Sequence, residues 1–305
     1  MERKEFFIES RFDSLPISVL EMLPEGELRA VVYLVHGLCG RKERFLALME
    51  YLVGCGIACI ASDHRGHGCS IRSEEDRGFM YNGGAKAVVM DMDAVVDYIR
   101  GRFCNVPLVM LGHSMGSLAA RAYAKVNDSR LDALIVCGSP APNHFIQIGK
   151  FLIRKLSGKD GGRMRPAYLQ KITSGRYNKK FRQEGTQAWT CSDPEVRRAF
   201  AEDPRCNFCI TADCAGTLME LFQEAYDGSG WSQANPALPV IFMSGDDDPC
   251  MGGRRRFLEA VDGMRRAGYT DVRWVTYPGM RHEILNEVNK MKVWEDILAF
   301  VDSIE

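Results

Sequence analysis

No apolar run in the sequence approaches the roughly 18 residues that a membrane-spanning helix needs, so no transmembrane segment is expected. A charge of one sign is also missing. The 39 Lys and Arg residues stand against 40 Asp and Glu, a net charge of −1, which removes the broad electrostatic argument for a nucleic-acid partner. The opening stretch MERKEFFIES carries charges among its first residues and has no apolar core ending in small residues, so a secretory signal is not expected. Nor is there an even cysteine framework: the 11 cysteines are odd in number and thinly spread over 305 residues. That pattern suits reduced thiols better than disulfide staples. These absences predict a soluble, cytoplasmic, globular protein, and the length suffices for a large core.

What is present is an alternation. Short apolar runs, AVVYLVH (30–36), GIACIAS (56–62), PLVMLG (107–112), DALIVCG (132–138), PVIFMSG (239–245) and VRWVTYP (272–278), read as strands covered on both faces of a parallel sheet. Amphipathic stretches at 43–54, 84–101, 115–126, 252–267 and 289–303 read as helices between them. FFIES and ISVLEM, either side of a turn, predict an antiparallel pair at one edge. The alternation argues for an α/β fold.

One interval breaks this rhythm. Residues 142–235 contain candidate helices (144–156, 194–202, 213–226) but no clear strand of the core type, and the interval is far longer than an ordinary crossover. We read it as an inserted helical cap, with the core formed by 1–141 and 236–305. Its first part, 142–182, holds 11 Lys or Arg and one acidic residue, Asp160.

The stretch PLVMLGHSMGSLAA (107–120) puts Ser114 between Gly112 and Gly116 where a strand gives way to a helix. A serine nucleophile needs a sharp turn that lifts its hydroxyl above the sheet, and glycines on both sides let strand and helix pass closely. The Met115 N–H then lies free at a helix N-terminus, where it can stabilise an oxyanion. Such a serine needs a base, and in this context the partners follow in the order Ser, acid, His. Of the six histidines only His144 and His282 follow Ser114. His144 opens the cap, whereas His282 follows the VRWVTYP strand through a short loop, so His282 is the expected base. The acid belongs in the loop after PVIFMSG, which reads Asp246-Asp247-Asp248; the residues alone leave all three open. No partner cluster stands at metal-ligand spacing, so an acid orienting His282 is the better account. The loop after AVVYLVH, His36-Gly37-Leu38, should supply the second oxyanion donor, the Leu38 N–H. His36, His64 and His67 precede Ser114 and read as loop-bracing residues.

HGLCG, DHRGHGCS, GHSMGS, SGDDDP and GMRHEILNE, in that order and spacing, resemble the α/β-hydrolase superfamily. Within it the similarity is to the monoacylglycerol lipase and lysophospholipase branch, also labelled serine aminopeptidase-like. The resemblance covers the core. It implies an α/β-hydrolase fold, with a mostly parallel eight-stranded sheet and helices on both faces. Its Gly-x-x-Asp pattern, laid on Gly245 to Asp248, selects Asp248 as the acid. It implies a serine carboxylic-ester hydrolase using Ser114, Asp248 and His282, with no cofactor and no metal, acting on a small, single-chain lipid-like ester. Thioesterase, amidase or aminopeptidase action on the same residues is the alternative, as is a non-catalytic ligand-binding member. Dehalogenation is disfavoured because the turn carries Ser rather than Asp.

In HFIQIGKFLIRKL (144–156), Phe145, Ile148, Leu152 and Leu156 share one helical face, with Lys150 and Arg154 elsewhere. A helix packed on the core with a solvated basic side is the commoner arrangement; the 11-to-1 charge bias leaves contact with an anionic membrane surface as the alternative. Cys206-x-x-Cys209, with Cys214 nearby, lacks a second ligand pair and reads as thiols rather than a zinc site.

Overall fold

The structure, a computed structural model, describes residues 1–142, 153, 160–166 and 177–304. Its strands are β1 (Glu2–Glu9), β2 (Pro16–Leu23), β3 (Ala30–Val35), β4 (Ile57–Ser62), β5 (Leu108–His113), β6 (Ala133–Cys137), β7 (Val240–Gly245) and β8 (Val272–Tyr277). They form one eight-stranded sheet in the order β1-β2-β4-β3-β5-β6-β7-β8. β1 pairs antiparallel with β2 and β2 with β4, and every other neighbouring pair is parallel.

Alternation along the strands explains why they read as unbroken apolar runs. In β3, Val31, Tyr33 and Val35 enter one buried cluster while Val32 and Leu34 enter another on the opposite face. A strand buried on both sides has no position left for a polar residue. The first face is covered by α2 (Gly84–Arg102) and α3 (Met115–Asn127), and the second by α1 (Leu46–Gly54). α1 is preceded by a 3-10 turn at Lys42–Phe45, so the helix expected over 43–54 begins in a tighter winding.

Within 142–235 the described residues contain no strand. They contain α4 (Pro194–Glu202), started by the Asp193 side chain accepting the Glu195 N–H, and α5 (Ala212–Tyr226), started by Thr211 accepting the Cys214 N–H. α5 joins the first cluster through Cys214, Leu218 and Leu221, and Asp213 accepts the Met80 N–H at 2.8 Å. α6 (Arg254–Arg266) covers the first face and α7 (Lys290–Asp302) the second. The helix expected over 144–156, with His144, Lys150 and Arg154, lies outside the described residues except for residue 153. No described helix is long and apolar enough to cross a membrane. All eleven cysteines carry free thiols.

Register decides where chemistry can happen. Val35 pairs with Gly112, His113 with Cys137, and Gly245 with Tyr277. The loops leaving β3, β5, β6, β7 and β8 therefore share the carboxyl edge of the sheet, where ligands of open α/β folds gather.

Candidate active site

At the end of β5 the chain turns through Ser114, which has φ 55° and ψ −119°, and enters α3 at Met115. A positive φ in a non-glycine residue costs about 1–3 kcal/mol and persists only where its surroundings enforce it. Here the Ser114 N–H donates to the Cys137 carbonyl at 3.0 Å, and the Ser117 hydroxyl donates to the Ser114 carbonyl at 2.6 Å. The flanking glycines make room for the turn. A Cβ on Gly112 would strike the Gly116 carbonyl, and one on Gly116 would strike the Val35 carbonyl.

Above this turn the structure brings together the three residues expected from the sequence. His282 Nε2 lies 2.8 Å from Ser114 Oγ, and His282 Nδ1 lies 2.9 Å from Asp248 Oδ2. An ionised carboxylate only accepts, so Nδ1 carries the hydrogen and Nε2 is left to accept from the serine hydroxyl. Asp248 and His282 are 2% and 4% exposed. Burial pulls the imidazole toward its neutral form, but the Asp248 charge and hydrogen bond, joined by the charge of Glu283, outweigh it. The His282 pKa accordingly lies above the ordinary histidine value. The other Asp248 oxygen accepts the Cys250 N–H at 2.7 Å. Of the other two aspartates, Asp246 is exposed and Asp247 pairs with Lys180 at 2.5 Å.

The expected oxyanion donors are Met115 and Leu38. Met115 is the first residue of α3, so its N–H has no intrahelical acceptor. Leu38 follows Gly37, which lies so close that a Cβ on it would sit 2.9 Å from the Ser114 Cβ. His36, His64 and His67 form a cluster of edge-on and tilted rings in the loops after β3 and β4. His36 and His64 have ring centroids 4.6 Å apart, and the His64 N–H donates to His36 Nε2 at 3.0 Å. Burial lowers the His64 and His67 pKa values to about 3 and about 4 and that of His36 well below normal. Asp63 ties the same loop together by accepting the Lys42 and Cys69 N–H groups. These histidines are neutral braces.

Four residues around the site were assigned no role from the sequence. His113, beside Ser114, places Nε2 3.1 Å from the His282 carbonyl. Glu283 is paired with Arg44 at 2.6 Å; burial alone would raise its pKa, but the Arg44 guanidinium and His113 bring it down to about 2. Arg281 holds Glu184 through two bonds of 2.8 and 2.9 Å and places its guanidinium 4.0 Å from the Phe181 ring centroid. Trp189 lies against the imidazole of His282, centroids 4.9 Å apart. His113 and Glu283 adjoin recognised motif residues, a hint adjacency alone could have given; Trp189 had none. Among the described residues, one group of three side chains of metal-ligating type converges: Asp248, Cys250 and His282, with donor atoms within 4.8 Å of one another. Two of them already bond to each other.

The sequence matches the family described as serine aminopeptidase, S33, over residues 26–289. It is similar to the monoacylglycerol lipase of Mycolicibacterium smegmatis, 27% identical over 294 residues that cover 92% of this chain and 90% of that protein. It is also similar to phospholipase YtpA of Bacillus subtilis, 23% identical, covering 90% of this chain and 95% of that protein. Among solved structures, a highly thermostable carboxyl esterase from Bacillus coagulans superposes with a TM-score of 0.92 at 23% identity, covering 100% of this chain and 99% of that one.

Proposed function

This chain belongs to the serine aminopeptidase S33 family of α/β hydrolases, and from that premise we propose that it is a serine carboxylic-ester hydrolase working through an acyl-enzyme. The observation that carries the reading is the unbroken relay Asp248–His282–Ser114, with links of 2.9 and 2.8 Å, at the mouth of a helix. In the proposed reaction Ser114 Oγ attacks the ester carbonyl as His282 Nε2 takes its proton. Asp248 holds the imidazole in the working tautomer and stabilises the imidazolium. The Leu38 and Met115 N–H groups receive the oxyanion, a contribution of about 3–4 kcal/mol for one such donor. His282 then protonates the leaving alcohol, and water activated by the same nitrogen releases the acid. In this account residues 142–235 form a cap over the core.

We assign single-chain lipid esters, such as monoacylglycerols and lysophospholipids, as the substrate class, a reading supported by the monoacylglycerol lipase and phospholipase relatives. Gripping the ammonium of an aminopeptidase substrate requires a spare carboxylate. Three described acids near the site are already engaged, Glu283 by Arg44, Asp247 by Lys180 and Glu184 by Arg281. That favours the ester reading over peptide hydrolysis. The test is Ser114→Ala assayed on glycerol esters, lysophospholipids and p-nitrophenyl esters of graded length. The account expects turnover and fluorophosphonate labelling to vanish with the circular dichroism unchanged; retained labelling overturns it.

A further inference from the structure

The segment before α4 reaches the site through Trp189. Its indole lies on the His282 ring at 39° between planes, and Tyr177 backs it at a centroid distance of 5.0 Å. The contact is built from both sides. The carbonyl of Ala188 accepts from Arg281 Nη1 at 2.6 Å, and the carbonyl of Thr190 accepts the Glu283 N–H at 2.6 Å. The neighbours of the tryptophan are thus tied to the neighbours of the histidine. Farther along, the Glu287 carboxylate takes both the Arg281 N–H at 3.0 Å and the Ser192 N–H at 2.8 Å. Residues 188–192 are laid along residues 281–287, which holds the indole beside the imidazole.

We infer that Trp189 is a positioning residue for the base: its π face stabilises the imidazolium that His282 becomes. The inference rests on the serine-hydrolase reading above. Proton transfer from Ser114 to His282 turns a neutral ring into a cation inside a buried site. An aromatic face against a desolvated cation is the arrangement in which cation–π attraction is strongest, and tryptophan is its best partner. The other groups facing the ring are Asp248 and Cys250 from the loop after β7, His113 from β5, and Glu283 with its partner Arg44. Asp248 and Glu283 favour the imidazolium, and burial opposes it. Trp189 adds to the first effect without adding a charge.

The test combines kinetics with tryptophan emission, because a protonated imidazole quenches an indole it touches. Wild type, Trp189→Phe, Trp189→Leu and His282→Gln are compared on one p-nitrophenyl ester from acid to neutral pH. In the wild type, emission falls as pH is lowered, with the same midpoint as the acid limb of kcat/KM. Trp189→Phe and His282→Gln each abolish that emission change. Trp189→Leu lowers kcat about 3- to 30-fold, the span of one cation–π contact converted to rate, and moves the acid limb to lower pH, while Trp189→Phe recovers part of both. An emission titration that survives in Trp189→Phe, or an acid limb and kcat unchanged in Trp189→Leu, overturns the inference. Should Trp189→Leu fail to fold, the wild-type, Trp189→Phe and His282→Gln titrations decide. Emission needs no turnover, so a failure of the serine reading, seen as activity surviving Ser114→Ala, remains distinguishable.

Discussion

The turn at Ser114 and the segment 177–192 arrive at the same imidazole but are held there by different forces. Ser114 is held by backbone fit: a β5–β6 ladder, two glycines with no room for a Cβ, and a positive φ that the surroundings enforce. Segment 177–192 has one backbone tie, the Glu283 N–H to the Thr190 carbonyl, and is otherwise held through side chains, with Arg281 on Glu184, Glu287 on Ser192 and Lys180 on Asp247. Backbone fit answers to steric change and little to salt. Ion pairs at a partly open surface are worth about 0–1 kcal/mol each and are screened. The Ser114 turn should therefore tolerate no added volume, whereas the segment beside it should loosen by degrees.

The largest expected effect tests the relay. Asp248→Asn keeps the shape but leaves Nδ1 facing an amide, and kcat on a p-nitrophenyl ester should fall by about 10⁴-fold with fluorophosphonate labelling correspondingly slowed. Next comes the backbone fit. Gly112→Ala forces a Cβ onto the Gly116 carbonyl and should lower stability in urea unfolding by about 1–3 kcal/mol, with most activity lost; a fully active, equally stable variant would remove the steric argument. The pH profile is a subtler probe. Because the His282 pKa is raised, the ring stays protonated to a higher pH than an ordinary histidine, and kcat/KM should fall on the acid side with a midpoint above 6.5. Glu283→Gln removes one of the charges that raise it, so the midpoint should move down. The smallest effect belongs to segment 177–192. Glu184, 43% exposed on its side chain, should cost only a few-fold in KM as Glu184→Gln, with kcat nearly unchanged.

The same division separates what could be read in the sequence from what could not. Strands β3 to β7 were legible because burial on both faces leaves apolar runs, and Ser114 was legible because its turn demands glycines at fixed spacing. His282 followed from chain order. Asp248 was not separable from its neighbours by residue type, since three adjacent carboxylates look alike. What distinguishes it is tertiary: its side chain accepts the Cys250 N–H and faces Nδ1, while Asp247 turns to Lys180. The bracing role of His36, His64 and His67 matches the structure, where burial makes them neutral. Trp189 left no pattern because its role depends on His282, which lies far away in the chain, and the pairing of Glu283 with the distant Arg44 was equally hidden. Side-chain ties between distant loops have no period for a sequence to display. Within the basic stretch 142–182, Arg163 pairs with Asp76 and lies over the Phe79 ring, and Lys180 pairs with Asp247, both cations remaining largely exposed.

The account depends most on Ser114 becoming acylated. Acid-quenching the protein during turnover of a p-nitrophenyl ester, followed by trypsin digestion and mass spectrometry, reads this directly. The account predicts one acyl group on the peptide running from Phe103 to Arg121, fragmenting to Ser114, and none in Ser114→Ala. An acyl group on another residue, or steady turnover with no adduct even when its release is slowed, would contradict it.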